Sequence, residues 1–142
     1  MQKILLATHG HLASGLLSTL KIITGDVTNV QAIDGYTEAE DITSEIESVI
    51  DDVSVGDQLI VFTDLLGGSV NQLVTNLAME KQVPAIIVSG FNVVLVLTVL
   101  LSNKPVTRSQ MEQYIVEARQ GMTMVDMPEK RSETTGEDDF FS

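Results

Sequence analysis

Two short segments of the chain carry the residue types that nucleophilic chemistry requires. Residues 7–11 read Ala-Thr-His-Gly-His and hold both histidines of the chain, and residues 63–69 read Thr-Asp-Leu-Leu-Gly-Gly-Ser. A carboxylate that accepts the Nδ1 proton of a histidine leaves the lone pair of Nε2 facing outward, and neutral imidazole can attack a phosphoryl group directly. We therefore interpret His9 as the reactive group and Asp64 as the carboxylate that orients it.

A phosphorylated histidine also needs neighbours that stabilise an anion. In both segments a helical pattern begins after the turn, and a helix N-terminus offers free backbone N–H groups and a positive dipole end. Glycine has no side chain to block an approaching phosphate, and a serine hydroxyl can donate a further hydrogen bond. We predict phosphate contacts at Gly10, Gly67, Gly68 and Ser69.

The apolar patterns place these two segments after neighbouring strands of one sheet. Short apolar runs alternate with helical patterns in the order βαβαβαβα, which is typical of a parallel sheet covered by helices on both faces. A flavodoxin-like strand order 2-1-3-4 is the expected topology, and ligands bind beyond the carboxyl ends of such strands, where the chain switches direction. This order brings His9, after the first strand, and Asp64, after the third, to one crevice.

Periodicity and capping signals set the boundaries of the predicted elements. We expect helices over residues 12–24, 37–53, 69–81, 92–102 and 107–120, and strands after the first over residues 27–33, 57–63 and 83–88. Thr37 is expected to cap the second helix, with Glu40 completing a capping box, and Thr107 is expected to cap the last helix. A domain of residues 1–127 is followed by an acidic segment, residues 128–142, that we expect to be disordered.

Weaker interpretations apply to other polar residues of the crevice. Thr8, His11 and Asn92 are candidates for lining it or contacting a partner; for Asn92 a helix cap is preferred, and for His11 a surface or partner contact. For the main candidates the alternatives are a solvated loop histidine, turn glycines, and a cap of the following turn at Asp64. As an exposed loop carboxylate that orients His9, Asp64 is expected to contribute little to folding. Their convergence at one switch point favours function.

The composition limits the classes of function. The chain has 142 residues, enough for one domain, with a net charge of −12 and no cysteine. An acidic surface repels nucleic acid and anionic lipid, and the lack of cysteine excludes disulfides, thiolate zinc sites and cysteine nucleophiles. The apolar run of residues 83–101 is long enough to resemble a membrane span, but polar and helix-breaking residues interrupt it, so we expect a buried strand and helix. No secretory signal pattern precedes the first strand.

The helix predicted after the fourth strand leaves almost no polar face. A helix that covers one side of a sheet normally keeps a solvated stripe, and a large exposed apolar patch usually marks an interface. Residues 122–127 are in addition a candidate fifth strand with no obvious place in the sheet of their own subunit. We therefore expect a homodimer. The apolar helix positions are Val93, Val94, Leu95, Val96, Leu97, Val99, Leu100 and Leu101.

Taken together, the motifs at residues 7–10 and 63–69 resemble those of the mannose-family enzyme IIA (EIIA) of the bacterial phosphoenolpyruvate:sugar phosphotransferase system. Residues 89–92, Ser-Gly-Phe-Asn, resemble a third loop of that family. The resemblance covers residues 1–127. It implies that His9 Nε2 accepts a phosphoryl group from phospho-HPr and passes it to a histidine of EIIB, with Asp64 as the orienting partner and Gly68 and Ser69 bounding the phosphate pocket.

The resemblance also implies the setting of this reaction. EIIB would phosphorylate a sugar that enters through the membrane subunits EIIC and EIID, so the protein would be cytoplasmic and peripherally associated with the transporter through EIIB. No metal or organic cofactor is implied, and family members are homodimers that exchange a C-terminal antiparallel strand. Because the chain ends soon after the domain, EIIB is expected to be a separate protein.

The sequence departs from the family motif at one position, and two alternative functions remain open. Many family members continue the Gly-Gly-Ser motif with proline, whereas Val70 stands here; proline at a first helical turn is permissive and not catalytic. The phosphocarrier subunit of dihydroxyacetone kinase has a similar fold and histidine, but its motifs are Ser-His-Ser and Met-Asp-x-Gly-Ser, so the present motifs favour the sugar system. The other alternative is a non-catalytic regulatory module that only binds partners.

Overall fold

The computed structural model describes residues 1–38, 41–102 and 104–129, and strands and helices alternate along them until two helices follow one another at the C-terminal end. The apolar strand runs and the helical periodicities of the sequence account for this order. The elements are β1 (Gln2–His9), α1 (Leu12–Thr24), β2 (Val30–Gly35), α2 (Thr43–Asp51), β3 (Gln58–Thr63), α3 (Ser69–Glu80), β4 (Ala85–Ser89), α4 (Val93–Ser102) and α5 (Arg108–Gln120).

The four strands form a parallel sheet in the order β2-β1-β3-β4. Register pairs align the carboxyl ends of β2, β1 and β3, with Ala7 opposite Thr63 on one side of β1 and Thr8 opposite Asp34 on the other. The residues that follow β1, β2 and β3 therefore meet at one edge of the sheet. This arrangement confirms the predicted flavodoxin-like topology.

Two apolar cores lie on opposite faces of the sheet. Successive side chains of a strand point to opposite faces, so a sheet covered on both sides needs nearly continuous apolar strands. Ile4 and Leu6 of β1 pack with α1, α4 and α5, whereas Leu5 and Ala7 pack with α2 and α3. Both faces thus fix β1, the strand that carries His9, and burial of each large aliphatic side chain stabilises it by about 1.5–3 kcal/mol.

The second helix begins later than its capping signal predicts, and the prediction for Thr37 is wrong. α2 starts at Thr43, whose backbone N–H donates to the Asp41 carboxylate at 2.9 Å, while the Thr37 hydroxyl instead donates to the Asp34 carbonyl. A later acidic residue therefore supplies the acceptor that Thr37 was expected to provide. Glu40, the expected partner of Thr37, lies outside the described residues.

The remaining helix boundaries lie close to those predicted. The Thr107 cap of α5 is confirmed, because its hydroxyl accepts the Gln110 backbone N–H at 3.1 Å and the Gln110 side chain accepts the Thr107 N–H at 3.0 Å. β2 begins three positions after the predicted start because residues 26–28 form a turn, in which the Asp26 carboxylate accepts the Thr28 N–H at 3.1 Å.

Residues 122–129, the described part of the C-terminal segment, contribute no strand to the sheet within the single chain. Residues 122–127 have no regular structure, and their side chains are exposed. Of the segment expected to be disordered, residues 128 and 129 are likewise exposed and irregular, and residues 130–142 lie outside the described residues. The apolar run of residues 83–101 is divided between β4 and the ten-residue helix α4. No helix in the described ranges has both the length and the apolar character needed to cross a membrane.

Candidate functional site

His9 and Asp64 meet at the edge where β1 and β3 end. His9 is the last residue of β1, and Asp64 directly follows β3, so the parallel pairing of these strands brings them side by side. Oδ2 of Asp64 accepts the backbone N–H of His9 at 2.9 Å and lies 2.9 Å from Nδ1 of the imidazole. Oδ1 accepts the backbone N–H of Leu65 at 3.0 Å. Three nitrogens thus hold the carboxylate in place.

These contacts decide which nitrogen of the imidazole is free. Partial burial pushes the pKa of the Asp64 carboxyl upward, but the hydrogen bonds from the backbone N–H and the imidazole of His9 outweigh burial and hold that pKa below its usual range. An ionised carboxylate can only accept hydrogen bonds, so Nδ1 carries the proton in the neutral ring and Nε2 keeps its lone pair. The His9 side chain is 39% exposed, which leaves Nε2 open to a reaction partner.

Asp64 is not the exposed loop carboxylate that the sequence suggested. Its side chain is only 13% exposed, and it accepts hydrogen bonds from two backbone N–H groups. The carboxylate is partly buried because the end of β1, at His9, packs against the turn that follows β3. Asp64 therefore contributes to the local fold as well as to the orientation of His9.

We expect the Asp64 carboxyl to titrate below the value of about 3.9 found for an unperturbed aspartate. Because the folded-state pKa is depressed, the stability contributed by the carboxylate is fully present above about pH 3.9 and is lost as the pH falls through the lower folded-state pKa. A carbon-13 NMR titration of the Asp64 side chain measures this. The variant His9→Ala keeps the backbone donor and loses the imidazole donor, so its midpoint should rise partway towards the ordinary value. A wild-type midpoint at or above the ordinary value would contradict this account.

The N-terminus of α3 faces the free nitrogen of His9. Ser69 is the first residue of α3, and its Oγ lies 3.3 Å from Nε2. Within the described chain, the backbone N–H groups of Ser69 and Val70 have no hydrogen-bond acceptor, whereas the Gly67 N–H donates to Asn71 Oδ1 at 3.2 Å and the Gly68 N–H donates to the Leu65 carbonyl at 3.1 Å. The N–H groups available to an anion at the positive end of the α3 dipole are thus those of Ser69 and Val70, which follow the two glycines.

The two glycines allow this close approach. A Cβ on Gly68 would lie 3.2 Å from Cβ and 3.3 Å from the carbonyl oxygen of Leu65, so a side chain there would crowd the turn, and it would touch Cε1 of His9 at 3.6 Å. Gly67 has a φ of +71°, a conformation that other residues rarely adopt. Gly67 and Gly68 therefore shape the turn that brings α3 to His9.

The N-terminus of α1 differs, because the backbone N–H groups of Ala13 and Ser14 already have acceptors within the fold. The fully buried Thr8 hydroxyl accepts the Ala13 N–H at 2.8 Å, and the Asp34 carboxylate accepts the Ser14 N–H at 3.0 Å. The N–H of Gly10 donates to the Gly35 carbonyl at 2.8 Å. Thr8 thus caps α1 from the interior and has no surface to offer a partner, and the Gly10 N–H is engaged within the fold.

Residues 3–118 match the family EIIA-man, described as the PTS system fructose IIA component. The chain belongs to the EIIA-man family. As a family member it is an EIIA component of a sugar phosphotransferase system, and its general activity is phosphotransfer. No curated protein sequence gives a significant match to it.

Solved structures agree with this membership. A candidate permease of the phosphoenolpyruvate-dependent sugar phosphotransferase system from Klebsiella pneumoniae is 26% identical with a TM-score of 0.76, over 87% of this chain and 90% of that one. The PTS IIA protein associated with the fucose utilization operon of Streptococcus pneumoniae is 27% identical with a TM-score of 0.74, over 87% and 92%. The mannose/sorbose-specific IIA subunit of Enterococcus faecalis, 20% identical over 91% and 98%, shares the fold with a TM-score of 0.72.

This EIIA-man protein contains a second histidine–carboxylate pair at the neighbouring strand end. Nδ1 of His11 lies 3.0 Å from Oδ2 of Asp34, and the His11 side chain is 80% exposed. Partial burial raises the pKa of the Asp34 carboxyl, but the hydrogen bonds from Ser14, with a smaller contribution from His11, lower it below its usual range. His11 makes no hydrogen bond to His9 or Ser69 within the described chain, so the structure keeps the two pairs separate.

Asn92 serves as a helix cap and a tie between two helices. Its Oδ1 accepts the Leu95 N–H at 2.9 Å at the start of α4, and its Nδ2 donates to the Ala118 carbonyl of α5 at 2.7 Å. Both the carbonyl and the NH₂ group of the Asn92 side chain are thus engaged in bonds to α4 and α5. Among the described residues of this EIIA-man protein, no three histidine, aspartate or glutamate side chains are grouped so that they could hold a metal ion.

Sequence reasoning missed two residues of the site, Tyr36 and Asp34, which lie after and near the end of β2. The ring of Tyr36 stacks on the His9 imidazole with centroids 5.2 Å apart and planes at 23°, and its hydroxyl donates to Ser69 Oγ at 2.7 Å. The signal that could have found both is the strand order itself, because β2 neighbours β1 and ends at the same edge.

Proposed function

We propose that this EIIA-man protein is a phosphocarrier in which Nε2 of His9 accepts a phosphoryl group from phospho-HPr and passes it to a histidine of EIIB. The observation that carries the proposal is the bond between Nδ1 of His9 and the Asp64 carboxylate, because it leaves Nε2 as the nucleophilic atom. The open N–H groups of Ser69 and Val70 beside it support a bound phosphoryl group at the same position.

The transfer forms one bond and breaks one. A phosphorus–nitrogen bond forms at Nε2 as the bond between phosphorus and the donor group breaks, and the proton on Nδ1 stays in place. The ring becomes positively charged during attack, and the ionised Asp64 at 2.9 Å stabilises that charge. The phosphoryl oxygens accept hydrogen bonds from the α3 N-terminus. Onward transfer to EIIB is the same step in reverse.

The charge of the chain supports association with the transporter through protein contacts. With a net charge of −12, the protein is repelled by the anionic surface of a cytoplasmic leaflet. In this proposal it works in the cytoplasm and reaches EIIC and EIID through EIIB. The sugar-transport role itself follows from membership of the family.

Reconstitution with purified components tests the proposed function. Incubation with radiolabelled phosphoenolpyruvate, enzyme I and HPr should label the protein in an acid-labile form, and omission of HPr should prevent labelling. Addition of EIIB should then remove the label from the protein and place it on EIIB. Absence of label in the complete mixture would overturn the proposal. Label that passes to the subunits of a dihydroxyacetone kinase and not to EIIB would assign the alternative carrier role.

We also propose that the protein is a homodimer in which residues 122–127 pair with the β4 edge of the partner subunit. Val93, Val94 and Leu101 of α4 are exposed in the single chain, and Met122, Met124, Val125 and Met127 are more than three-quarters exposed. β4 is an edge strand whose outer hydrogen-bonding groups are free to pair. Burial of this apolar surface contributes about 25 cal/mol for each Å².

Sedimentation equilibrium at micromolar concentration should give the mass of a dimer for the full chain. Truncation before Met122 should give a monomer or aggregate, because it removes the pairing segment and exposes apolar surface. The matched control is truncation after Met127, which keeps the segment and should leave the dimer intact. A monomer mass for the full chain would contradict the dimer. A dimer that survives truncation before Met122 would contradict the strand exchange.

A further inference from the structure

Tyr36 has a backbone conformation that its residue type disfavours. Its φ is +59°, in the left-handed region that glycine and asparagine occupy far more readily than an aromatic residue. Such a conformation carries a cost and persists only where the surrounding contacts maintain it. The Tyr36 side chain is also half exposed, at 48%, so core packing does not explain it.

The contacts of Tyr36 converge on the reactive histidine. The ring lies nearly parallel to the His9 imidazole at a centroid distance of 5.2 Å, which limits the rotation of the imidazole about its χ2 angle. The Tyr36 hydroxyl donates to Ser69 Oγ at 2.7 Å, and Ser69 Oγ lies 3.3 Å from Nε2 of His9. The strained residue therefore touches both the nucleophile and its nearest hydroxyl.

The direction of these hydrogen bonds follows from the tautomer. Because Asp64 holds the proton on Nδ1, Nε2 can only accept, so the Ser69 hydroxyl donates its single proton towards Nε2. The Ser69 oxygen is then left to accept the proton of the Tyr36 hydroxyl. When a phosphoryl group is bonded to Nε2, the same Ser69 proton lies within reach of a phosphoryl oxygen.

We propose that Tyr36 is a positioning residue for phosphoryl transfer: it restrains the His9 ring by stacking and fixes the Ser69 hydroxyl as a donor directed at the phosphoryl site. This inference rests on the proposed phosphocarrier function. It assigns Tyr36 no contact with the reacting atoms and makes Ser69 the donor through which the tyrosine hydroxyl acts.

Two substitutions separate the two contributions. Tyr36→Phe keeps the stacked ring and removes the hydroxyl, and the single-turnover rate of phosphorylation at saturating phospho-HPr should fall about tenfold, the effect of one well-placed hydrogen bond. Tyr36→Gly removes the ring as well, so its phosphorylation rate should fall further. The melting temperature of this variant should nevertheless rise or stay unchanged, because glycine relieves the strain of the left-handed conformation. A purely structural role for the tyrosine predicts instead that the melting temperature falls together with the rate.

Further readouts distinguish positioning from partner contact. The apparent affinity for phospho-HPr should be unchanged in Tyr36→Phe, since the apolar ring remains, whereas a partner contact through the hydroxyl would weaken it. Nitrogen-15 NMR should still find the proton on Nδ1 of His9, because Asp64 sets the tautomer. The matched control Tyr114→Phe removes the only other tyrosine hydroxyl, on α5, and should leave rate and affinity unchanged.

The outcomes separate this inference from the function on which it rests. If wild-type protein is labelled normally, an unchanged saturated rate in Tyr36→Phe overturns the role of the hydroxyl, and an unchanged rate in Tyr36→Gly overturns the role of the ring. The carrier function stands in both cases. A wild-type protein that phospho-HPr does not label overturns both. If Tyr36→Gly does not fold, the strain argument is overturned and the Phe variant alone decides the role of the hydroxyl.

Discussion

Replacement of His9 by glutamine is expected to abolish acid-labile phosphorylation. The glutamine amide has no nucleophilic lone pair on nitrogen, so no phosphorus–nitrogen bond can form. Its N–H can still donate towards Asp64, which is held in addition by the backbone N–H groups of residue 9 and Leu65, so the fold should survive. Label transfer from phosphoenolpyruvate through enzyme I and HPr measures the loss, and the melting temperature checks the fold.

His11→Gln is the matched control for this substitution. His11 has its own carboxylate partner in Asp34, but its imidazole faces solvent without the open helix N-terminus that accompanies His9. The variant should therefore be labelled at close to the wild-type rate. Labelling of His9→Gln at the wild-type rate, or loss of labelling only in His11→Gln, would assign the acceptor to a different residue.

Asp64→Asn is expected to slow phosphoryl transfer by about 10²-fold or more, within the range typical of a lost proton-positioning group. Three N–H groups point at the two oxygens of Asp64, and asparagine has only one oxygen. Whichever way the amide turns, its NH₂ group faces at least one N–H donor. If it faces His9, the ring must accept at Nδ1, and the proton moves to Nε2 and blocks the nucleophile.

The same substitution should also reduce stability, by about 1–2 kcal/mol, because a partly buried backbone N–H loses its acceptor. Single-turnover labelling, nitrogen-15 NMR of His9 and thermal denaturation together measure the rate, the tautomer and the fold. The matched control is Asp41→Asn, which alters a carboxylate that accepts the Thr43 N–H at the start of α2. It should leave the phosphorylation rate and the tautomer of His9 unchanged. A wild-type rate in Asp64→Asn would reduce Asp64 to a turn residue.

The sequence contains enough information to predict the sheet and the pairing of His9 with Asp64. Alternating apolar runs determine which segments are strands, and the switch point of a parallel sheet then brings together the residues after β1 and β3. Neither inference depends on where a helix begins to within a few residues. Long periodic segments average over many side chains, which is why these predictions agree with the structure.

Features decided by one or two local contacts were not predictable in this way. Thr37 carries a capping signal, but the Asp41 carboxylate provides the acceptor at the start of α2. The strand order places Tyr36 at the same sheet edge as His9, but its residue type gives no signal of the left-handed conformation in which its ring stacks on the imidazole. The N–H groups of Gly67 and Gly68 donate to Asn71 Oδ1 and the Leu65 carbonyl at their own turn, an arrangement that apolar periodicity does not encode.

In the described part of the chain, the donors beside Nε2 of His9 are electrically neutral: the Ser69 hydroxyl, whose Oγ lies 3.3 Å from Nε2, and the backbone N–H groups at the start of α3. Neutral donors hold phosphate oxygens less tightly than a guanidinium or ammonium group would. In the proposed function, a phosphoryl group held only by neutral donors keeps a high transfer potential and can pass readily to the next acceptor. In that role, the direction of phosphoryl flow is set by the supply of phosphoenolpyruvate and the demand for sugar, and no tightly bound state of the carrier opposes it.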